Sequence, residues 1–272
     1  MNAPKLRFKE FNDEYINLKY KDVLKIKSGK DQKKVECESG IYPILGTGGQ
    51  IGKTNSFLYD KPSVLIGRKG TINKPQYMET PFWTVDTLFY SHIYEPNIPK
   101  YLFYSFQNVN WKKYDESTGV PSLSSSTIES VECNIPSKEE QLKVADFLSL
   151  LDKKIELQYK KIEDLKLFKK GLSTTIFNSL RDFEEYKLGK ICNITTGKLD
   201  ANAMIDNGKY RFYTCAKEYS LIDKYAFDTE ALLISGNGAY VGYIHYYKGK
   251  FNAYQRTYVL DNFSQNIQYI KC

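Results

Sequence analysis

Residues 137–172 read SKEEQLKVADFLSLLDKKIELQYKKIEDLKLFKKGL, and this stretch decides how the chain is organised. It follows Pro136 and opens with a capping box, Ser137 and Glu140, which is typical of a helix N-terminus. Apolar residues then recur at alternating spacings of three and four, the period of a coiled-coil seam. The seam positions are Leu148, Leu151, Ile155, Gln158, Ile162, Leu165, Lys169, Leu172 and Ile176. We predict a helix of about 35 residues, roughly 50 Å long, that Gly171 ends or weakens.

A long helix with an apolar seam predicts a partner helix. The residues expected at that interface are Leu148, Leu151, Ile155, Ile162 and Leu165. The alternative is a solvated linker helix, which would leave an apolar stripe exposed without a reason.

The sequences on the two sides of this helix repeat each other at an offset of 168 residues. The aligned pairs are KDVLKIKSGK (21–30) with GKICNITTGK (189–198), GIYPILG (40–46) with GKYRFYT (208–214), VLIGRKG (64–70) with LLISGNG (232–238) and, after one residue of slippage, WTVDTLFY (83–90) with NAYQRTYV (252–259). Strand-like runs and glycine turns recur in the same order. We therefore predict two copies of one domain, at 1–136 and 181–272, with a spacer helix at 137–180.

Both copies alternate short β-branched or aromatic runs with Gly, Asn and Asp, a pattern that predicts strands. The expected strands are residues 42–45, 63–66, 82–90, 231–234, 240–247 and 254–260. Aromatic spacing in residues 99–111 predicts a short amphipathic helix against the sheet. The predicted class is α+β, with two strand-rich domains separated by a long coiled-coil-type helix.

The composition favours a partner that carries phosphates. The chain has 272 residues, a net charge of +7, and 15% aromatic residues that include 23 tyrosines. It contains no apolar run near the roughly 18 residues of a membrane span, and its N-terminus is charged rather than signal-like. We expect a cytoplasmic protein that does not enter a membrane.

Catalytic and metal chemistry find little support in the sequence. Five widely spaced cysteines and two histidines predict neither a disulfide framework nor a metal site. No activated serine or cysteine and no methyltransferase motif is found, so we predict no catalytic residue and no cofactor. GTGGQIGKT (46–54) resembles a phosphate-binding loop, but Thr47 stands where that motif needs glycine. The alternatives are a turn between strands and a loop whose backbone approaches another molecule.

Polar loops at equivalent places in the two copies are the candidates for DNA contact. GRKGTINK (67–74) corresponds to SGNGAY (235–240). Arginine and asparagine suit base edges, and lysine neutralises phosphates. The candidate residues are Gly48, Gly49, Arg68, Lys69, Thr71, Asn73, Lys74, Thr84, Thr118, Asn237, Tyr240, Gln255 and Arg256. Residues 67–74 also fit an ordinary hydrophilic turn, residues 115–126 also fit a mobile loop, and we assign Trp83 to core packing.

Weak motifs in a fixed order carry a family resemblance across residues 6–272. They are Leu6, Arg7, Phe8 and Phe11, a strand that ends in Ser-Gly-Lys, YPILGTGGQIG, VLIGRKGTIN, PKYLFYSF, STGVPSLS before IPS, and EEQLKVADFLSLLDKKIE. The chain resembles the DNA-specificity subunit of type I restriction–modification systems. This resemblance implies two target-recognition domains, each reading half of a bipartite double-stranded DNA site. It implies modification subunits that methylate adenine, and restriction subunits that translocate and cut DNA. The catalytic residues of the family lie on those other subunits.

The offset places the end of a full second domain near residue 304, whereas the chain stops at Cys272. We therefore expect a C-terminally truncated subunit with a partial second domain, and a homodimer through the spacer helix. One alternative is a coiled-coil interaction protein, a decoy or half-subunit without its own DNA target. Another is a nucleotide-dependent enzyme that binds ATP at Lys53.

Overall fold

The computed structural model describes residue 4, residues 6–179 and residues 185–271. The chain divides into two compact units, Met1–Ile162 and Glu163–Cys272. The predicted boundary at 180/181 and the terminal Cys272 lie outside the described residues. The domain limits at 1–136, 137–180 and 181–272 therefore stay predictions.

The first unit is built from short strands that are covered by helices. Its elements are β1 (Ile16–Lys19), α1 (Tyr20–Val23), β2 (Leu24–Ser28), β3 (Tyr42–Gly46), β4 (Gly49–Thr54), β5 (Ser63–Gly67), β6 (Gln76–Met78), β7 (Trp83–Thr84), β8 (Leu88–Ile93), α2 (Pro99–Asn108), a 3₁₀ turn (Trp111–Tyr114), α3 (Ser125–Ser130) and β9 (Glu132–Ile135). The sheets have the orders β2-β8-β5-β6, β4-β3-β7 and β1-β9. The β3–β7 pair is parallel, and the other strand pairs of this unit are antiparallel.

The predicted amphipathic helix is α2, which supplies much of the first core. Leu102 and Phe106 are fully buried, and the indole of Trp111 donates a hydrogen bond of 2.8 Å to the carbonyl oxygen of Phe106. The ring of Tyr20 lies 4.4 Å from that of Phe106, centroid to centroid. Aromatic packing of this kind joins α2 to α1.

The second unit gathers its strands into one sheet. Its elements are α5 (Leu188–Ile191), β10 (Asn193–Thr196), a 3₁₀ turn (Ala201–Ala203), β11 (Tyr210–Tyr213), β12 (Ser220–Ile222), β13 (Phe227–Ser235), β14 (Ile244–Ala253), β15 (Thr257–Asp261) and α6 (Ile267–Lys271). The strand order is β10-β15-β13-β14-β11-β12. Only the β11–β14 pair is parallel among these described strands.

The strand registers confirm the internal repeat. Leu65 faces Tyr90 in the first unit, and Leu233 faces Val259 in the second, which corresponds to offsets of 168 and 169. The backbone N–H of Val85 donates to Leu45, and the N–H of Tyr254 donates to Tyr213 at the equivalent place. The one-residue slippage falls between β5 and β6, where the second unit has one residue more. The predicted α+β class with two copies of one strand-rich domain is confirmed.

Several predicted strands have different limits in the structure, and the one expected at 231–234 is longer, since β13 runs from Phe227 to Ser235. The run 82–90 forms β7 and β8, because a turn closes between them with the N–H of Leu88 bonded to the carbonyl of Val85 at 3.0 Å. Strand β14 begins at Ile244 rather than at residue 240, and β15 begins at Thr257 rather than at residue 254. Strand-forming residues continue through these turns, so composition alone does not mark the ends.

The spacer helix is α4 (Lys138–Ser179), with 42 residues and therefore a length of about 63 Å. Of the two alternatives for Gly171, the one that it ends the helix is wrong, since the helix continues for two further turns, and the one that it weakens the helix stays a prediction. A β-carbon at Gly171 would meet no neighbour, so no packing requires glycine there. Within the described residues, no helix is long and apolar enough to cross a membrane.

The predicted capping box forms only in half. The hydroxyl of Ser137 accepts the N–H of Glu140 at 3.4 Å, but the Glu140 carboxylate turns to Arg7, with contacts of 2.8 and 2.7 Å. Tyr15 donates a third hydrogen bond to this buried carboxylate, and burial together with that bond raises the pKa of Tyr15 to about 12. The neighbouring Gln141 accepts the N–H of Ile98. The Glu-Gln pair thus docks the start of α4 on the first unit.

The predicted seam is exposed beyond the first turns of α4. Leu148 packs against the first core, whereas Leu151, Ile155, Ile162 and Leu165 are between 42% and 56% exposed. The described residues cover little of this stripe, so the prediction that it packs against a partner helix stays open.

Candidate nucleic-acid interface

Three segments of the first unit converge at one edge of its sheets. They are the β3–β4 turn, the loop 68–75 between β5 and β6, and residues 115–124. The side chain of Gln76 donates to the carbonyl of Gly46 at 2.8 Å, which ties the turn to the start of β6. The N–H of Gly70 donates to Pro121 at 2.8 Å, which ties the loop to the third segment. Sequence-distant segments therefore form one surface.

Arg68 and Lys69 have a fixed backbone and exposed side chains. The N–H of Arg68 donates to Thr87 at 2.8 Å, and its carbonyl accepts the N–H of Leu123 at 3.0 Å. Lys69 forms a single antiparallel bridge with Ser122. Among the described residues, the guanidinium of Arg68 reaches only the carbonyl of Asp86, at 3.5 Å. Both cationic ends are thus available to a ligand from a well-defined position.

Residues 115–124 form a closed loop with its own hydrogen bonds, which does not favour the mobile-loop alternative. The carboxylate of Asp115 accepts the N–H of Ser122 at 2.9 Å and the hydroxyl of Ser117 at 2.8 Å. These hydrogen bonds, that to Ser122 first, lower the pKa of Asp115 below its usual value. The candidate Thr118 lies exposed within this loop.

The glycine-rich segment is a tight hairpin between β3 and β4. Gly49 has a φ of +112°, a backbone conformation that favours glycine, and the chain returns at once as β4. Lys53 lies within β4 opposite Pro43, and no helix follows. The fold therefore fits the turn interpretation and lacks the helix of a phosphate-binding loop. Gly48 and Gly49 leave open space where a side chain would stand.

The remaining first-unit candidates differ in exposure. Asn73 and Lys74 are exposed, and Thr71 is half-buried. Thr84 does not fit a contact role, because its side chain is fully buried and its hydroxyl has no hydrogen-bond partner among the residues described. Although β7 is the edge strand of its sheet, the segment after β2 covers it, with the N–H of Lys30 donating to the carbonyl of Thr84 at 2.9 Å. Trp83 is buried as expected, with its indole bonded to the carbonyl of Lys30 at 3.0 Å.

The second unit brings its candidates together at the equivalent edge. The N–H of Gly236 donates to the carbonyl of Arg256 at 2.9 Å, and the N–H of Gln255 donates to Leu199 at 2.9 Å. Tyr240 lies exposed in the loop 236–243, which also contains the half-buried Asn237. Lys217 places its ammonium 5.3 Å from the Tyr240 ring centroid. Asn237, Tyr240, Gln255 and Arg256 thus belong to adjoining loops, and the side chains of Gln255 and Arg256 are exposed.

Sequence reasoning missed two groups near these edges. Glu116 accepts hydrogen bonds from the hydroxyls of Ser124 and Thr127, partners eight and eleven residues away that no local motif indicates. In the second unit, the guanidinium of Arg211 lies 4.3 Å from the ring centroid of Tyr219 and 4.5 Å from that of Tyr247. The high tyrosine content was the only sequence signal for this stacking.

Metal ligation finds no cluster in the part of the chain that the structure describes. No group of three or more His, Cys, Asp or Glu side chains is placed to hold an ion. The cysteines among these residues, Cys37, Cys133, Cys192 and Cys215, are free thiols.

The sequence profile of one family matches both units and the first part of α4. It is described as Type I restriction modification DNA specificity domain, and it covers residues 12–167 and 181–270. The chain is also similar to two curated proteins. It is 51% identical over 80 residues to the type I restriction enzyme EcoDI specificity subunit of Escherichia coli, covering 29% of this chain and 18% of that protein. It is 30% identical over 161 residues to the putative type I specificity subunit S.MpnORF365P of Mycoplasma pneumoniae, covering 55% and 59%.

The match to each curated relative thus spans less than two thirds of that relative's length. Two solved structures share the fold. The type I restriction–modification S subunit from M. genitalium has a TM-score of 0.66 at 18% identity, over 95% of this chain and 75% of that one. A structure described for complex assembly and conformational transition of the type I R-M system has a TM-score of 0.54 at 11% identity, over 94% and 77%.

Proposed function

The chain belongs to the type I restriction modification DNA specificity family, and from this premise we propose that it is the DNA-recognition subunit of a type I restriction–modification complex. The observation that carries the proposal is the equivalence of the two edges. In each unit the loop after β5 or β13 is tied by backbone hydrogen bonds to the turn before β8 or β15. Both edges present polar side chains from these loops.

The chemistry of the loops supports DNA as the ligand. Lys69 and Lys74 are exposed cations suited to phosphates, which position a protein on the duplex without reading its sequence. Arg68, Asn73 and Arg256 carry donors suited to base edges. Because each unit has its own loop set, each reads one half of a bipartite site.

The proposed role is non-catalytic. Modification subunits methylate adenine and restriction subunits cut DNA, and this chain directs both to the site. The naming of the two curated relatives as specificity subunits supports this division of labour. A decoy without its own target is less well supported, since a decoy has no need for equivalent polar loops in both units. The expected cytoplasmic location stays a prediction.

The spacer helix is proposed as an assembly surface. Leu151, Ile155, Ile162 and Leu165 form an exposed stripe with 3–4 spacing, and a second copy of α4 offers a matching stripe. Closed two-fold dimers are the commonest assemblies, so we propose a homodimer through this helix. Light scattering at tens of micromolar is expected to give a dimer that Leu151→Lys with Ile162→Lys converts to a monomer. An unmodified chain that is monomeric throughout this range contradicts the homodimer.

Methylation mapping tests the recognition role directly. Cells that carry this chain with its modification subunit are expected to methylate adenine within a single motif of two separated parts. Cells with the modification subunit alone serve as the control and are expected to lack that motif. Identical methylation patterns in the two strains would contradict the proposed function.

A further inference from the structure

A pocket of about 350 Å³ at the first edge carries both signs of charge. It is lined by Arg68, Lys69 and Glu116, together with Ser28, Phe89, Ser122, Leu123, Ser124 and Ser125. Among the described residues, the ion pairs closer than 4.0 Å include neither Arg68 nor Glu116. An unpaired cation and an unpaired anion thus share one pocket.

The Glu116 carboxylate accepts its side-chain hydrogen bonds on one of its two oxygens. Its Oε1 accepts the hydroxyl of Ser124 at 2.9 Å and also the hydroxyl of Thr127. Among the residues that the structure describes, no side chain donates a hydrogen bond to its Oε2. The two hydroxyls, Thr127 first, lower the pKa of Glu116, so the group is an ionised acceptor at neutral pH. It is therefore an oriented acceptor with spare capacity.

Arg68 complements this acceptor. Its backbone is bonded on both sides, to Thr87 and to Leu123, while its guanidinium makes a single hydrogen bond, of 3.5 Å, to the part of the chain that the structure describes. Most of its five N–H donors are free. The pocket thus offers a fork of donors and a separate acceptor, both supported by the same loop pairing.

We propose that this pocket reads one G·C base pair, with Arg68 donating to guanine and Glu116 accepting from cytosine. In the major groove guanine presents the acceptors O6 and N7, and cytosine presents the N4 amino donor. A phosphate site would not contain a free carboxylate, because the two anions repel. Lys69, next to Arg68, is then left to neutralise the adjoining backbone. This inference rests on the proposed function and assigns its specificity.

The test uses the complex of the full chain with its modification subunit. Affinity is measured against duplexes that carry every base pair at each position of the methylated motif. Glu116→Gln is compared with Arg68→Ala and with Glu38→Gln, which removes an exposed carboxylate of the same unit outside this pocket. Retained preference in the other half-site shows that each variant is folded. Should Glu116→Gln misfold, Arg68→Ala remains informative, since its side chain supports little structure.

The unmodified complex is expected to require a G·C pair at one position of the first half-site. Glu116→Gln and Arg68→Ala are expected to lower discrimination at that same pair by about 5- to 100-fold, and Glu38→Gln is expected to leave it unchanged. Equal tightening of all duplexes by Glu116→Gln would overturn the proposal, because the carboxylate would then only repel phosphates. Effects at two different base pairs, or an unchanged preference in Glu116→Gln, would also overturn it. If only the G·C proposal is wrong, the unmodified complex still prefers particular DNA sequences. If the proposed function is wrong, the unmodified complex shows no sequence preference.

Discussion

The strand that pairs with β5 in the first unit is interrupted, whereas the equivalent strand of the second unit, which pairs with β13, is continuous. In the first unit β6 ends at Met78 and β7 begins at Trp83, whereas β14 of the second unit runs from Ile244 to Ala253 and pairs with both β13 and β11. Pro81 lies in the first gap and has no N–H for a ladder. The second unit has Gly249 close to the equivalent place, with a φ of +128°. The two pieces β6 and β7 still pair with β5 and β3, as β14 pairs with β13 and β11. The repeat therefore preserves the strand pairing and its register, and it does not preserve the continuity of the strand.

The loops at the two edges differ far more than the strands that hold them. The loop 68–75 contains three exposed cations, Arg68, Lys69 and Lys74. The equivalent loop 236–243 has no charged residue and exposes Tyr240. Equivalent hydrogen bonds hold loops of different chemistry. This contrast predicts that the two half-sites differ in sequence and that the first depends more on salt.

The largest expected effect tests whether the two units share the same close backbone packing at equivalent glycines. A β-carbon on Gly29 would lie 2.0 Å from the carbonyl oxygen of Val85, and one on Gly197 would lie 1.8 Å from that of Ala253. Gly29→Ala and Gly197→Ala are each expected to cost about 3 kcal/mol in unfolding free energy, because backbone must move. Chemical denaturation with hydrogen exchange assigns the loss to a unit.

Gly48→Ala is the matched control for these two variants, since a β-carbon there meets no atom within 4 Å. If only one of the two variants lost much unfolding free energy, the backbone packing at the two glycines would not be equivalent.

A reciprocal pair of variants sharpens the contrast between the loops. Arg68→Ala is expected to cost about 1–3 kcal/mol of specific binding and to relax base preference in the first half-site only. Arg256→Ala is expected to relax base preference in the second half-site only. Lys69→Ala is expected to weaken all sequences alike and to reduce the salt slope by about one. Binding titrations on duplexes with single half-site changes measure all three. Relaxation of both half-sites by one variant would contradict separate readers.

A smaller effect is expected from the anchors beneath the loops. Gln76 donates to the carbonyl of Gly46 at 2.8 Å, and at the equivalent place the Nε2 of His245 lies 2.9 Å from the carbonyl oxygen of Ala216. Gln76→Leu and His245→Leu each remove one hydrogen bond, worth about 1 kcal/mol. Hydrogen exchange is expected to speed up in the adjoining turn of the altered unit, while the turn of the other unit serves as the internal control.

No effect on nucleotide use is expected from Lys53→Ala. Lys53 lies on β4 opposite Pro43, and Leu221 occupies the equivalent place on β12 opposite Arg211. A lysine at this strand position is therefore not a feature that the two units have in common. ATP hydrolysis by the assembled complex measures the outcome, and photocrosslinking of ATP to this chain that disappears in the variant would reinstate a nucleotide site.

Much of the fold could be predicted because it depends on local patterns. The 3–4 spacing of apolar residues predicted α4, and the recurrence of Gly29 and Gly197 within similar strands predicted the repeat. Strand ends were less predictable, since Tyr240 lies in a turn and Tyr254 forms an isolated bridge with Leu199, although their residue types favour strands. Turn formation there depends on backbone hydrogen bonds that composition does not reveal.

The sequence predicted which loops form the candidate site, but it did not predict the burial or the hydrogen-bond partners of individual side chains. The exposed Arg68, Lys69, Gln255 and Arg256 were recognisable from residue type and repeat position. The burial of Thr84 was not, because residue type does not reveal that the segment after β2 covers β7. Glu116 was missed for the opposite reason: its orientation comes from hydroxyls that only the folded loop brings near.

The amino-acid sequence by itself determined the long helix, the two-copy organisation and the basic, polar loops, because periodicity and composition act over neighbouring residues. Tertiary structure alone decided which segments meet. It brought residues 46–49, 68–75 and 115–124 to one edge, turned Glu140 from its capping role to Arg7, and placed Arg68 and Glu116 in one pocket without pairing them. These arrangements depend on hydrogen bonds between residues far apart in sequence, and such bonds exist only once both strands are packed.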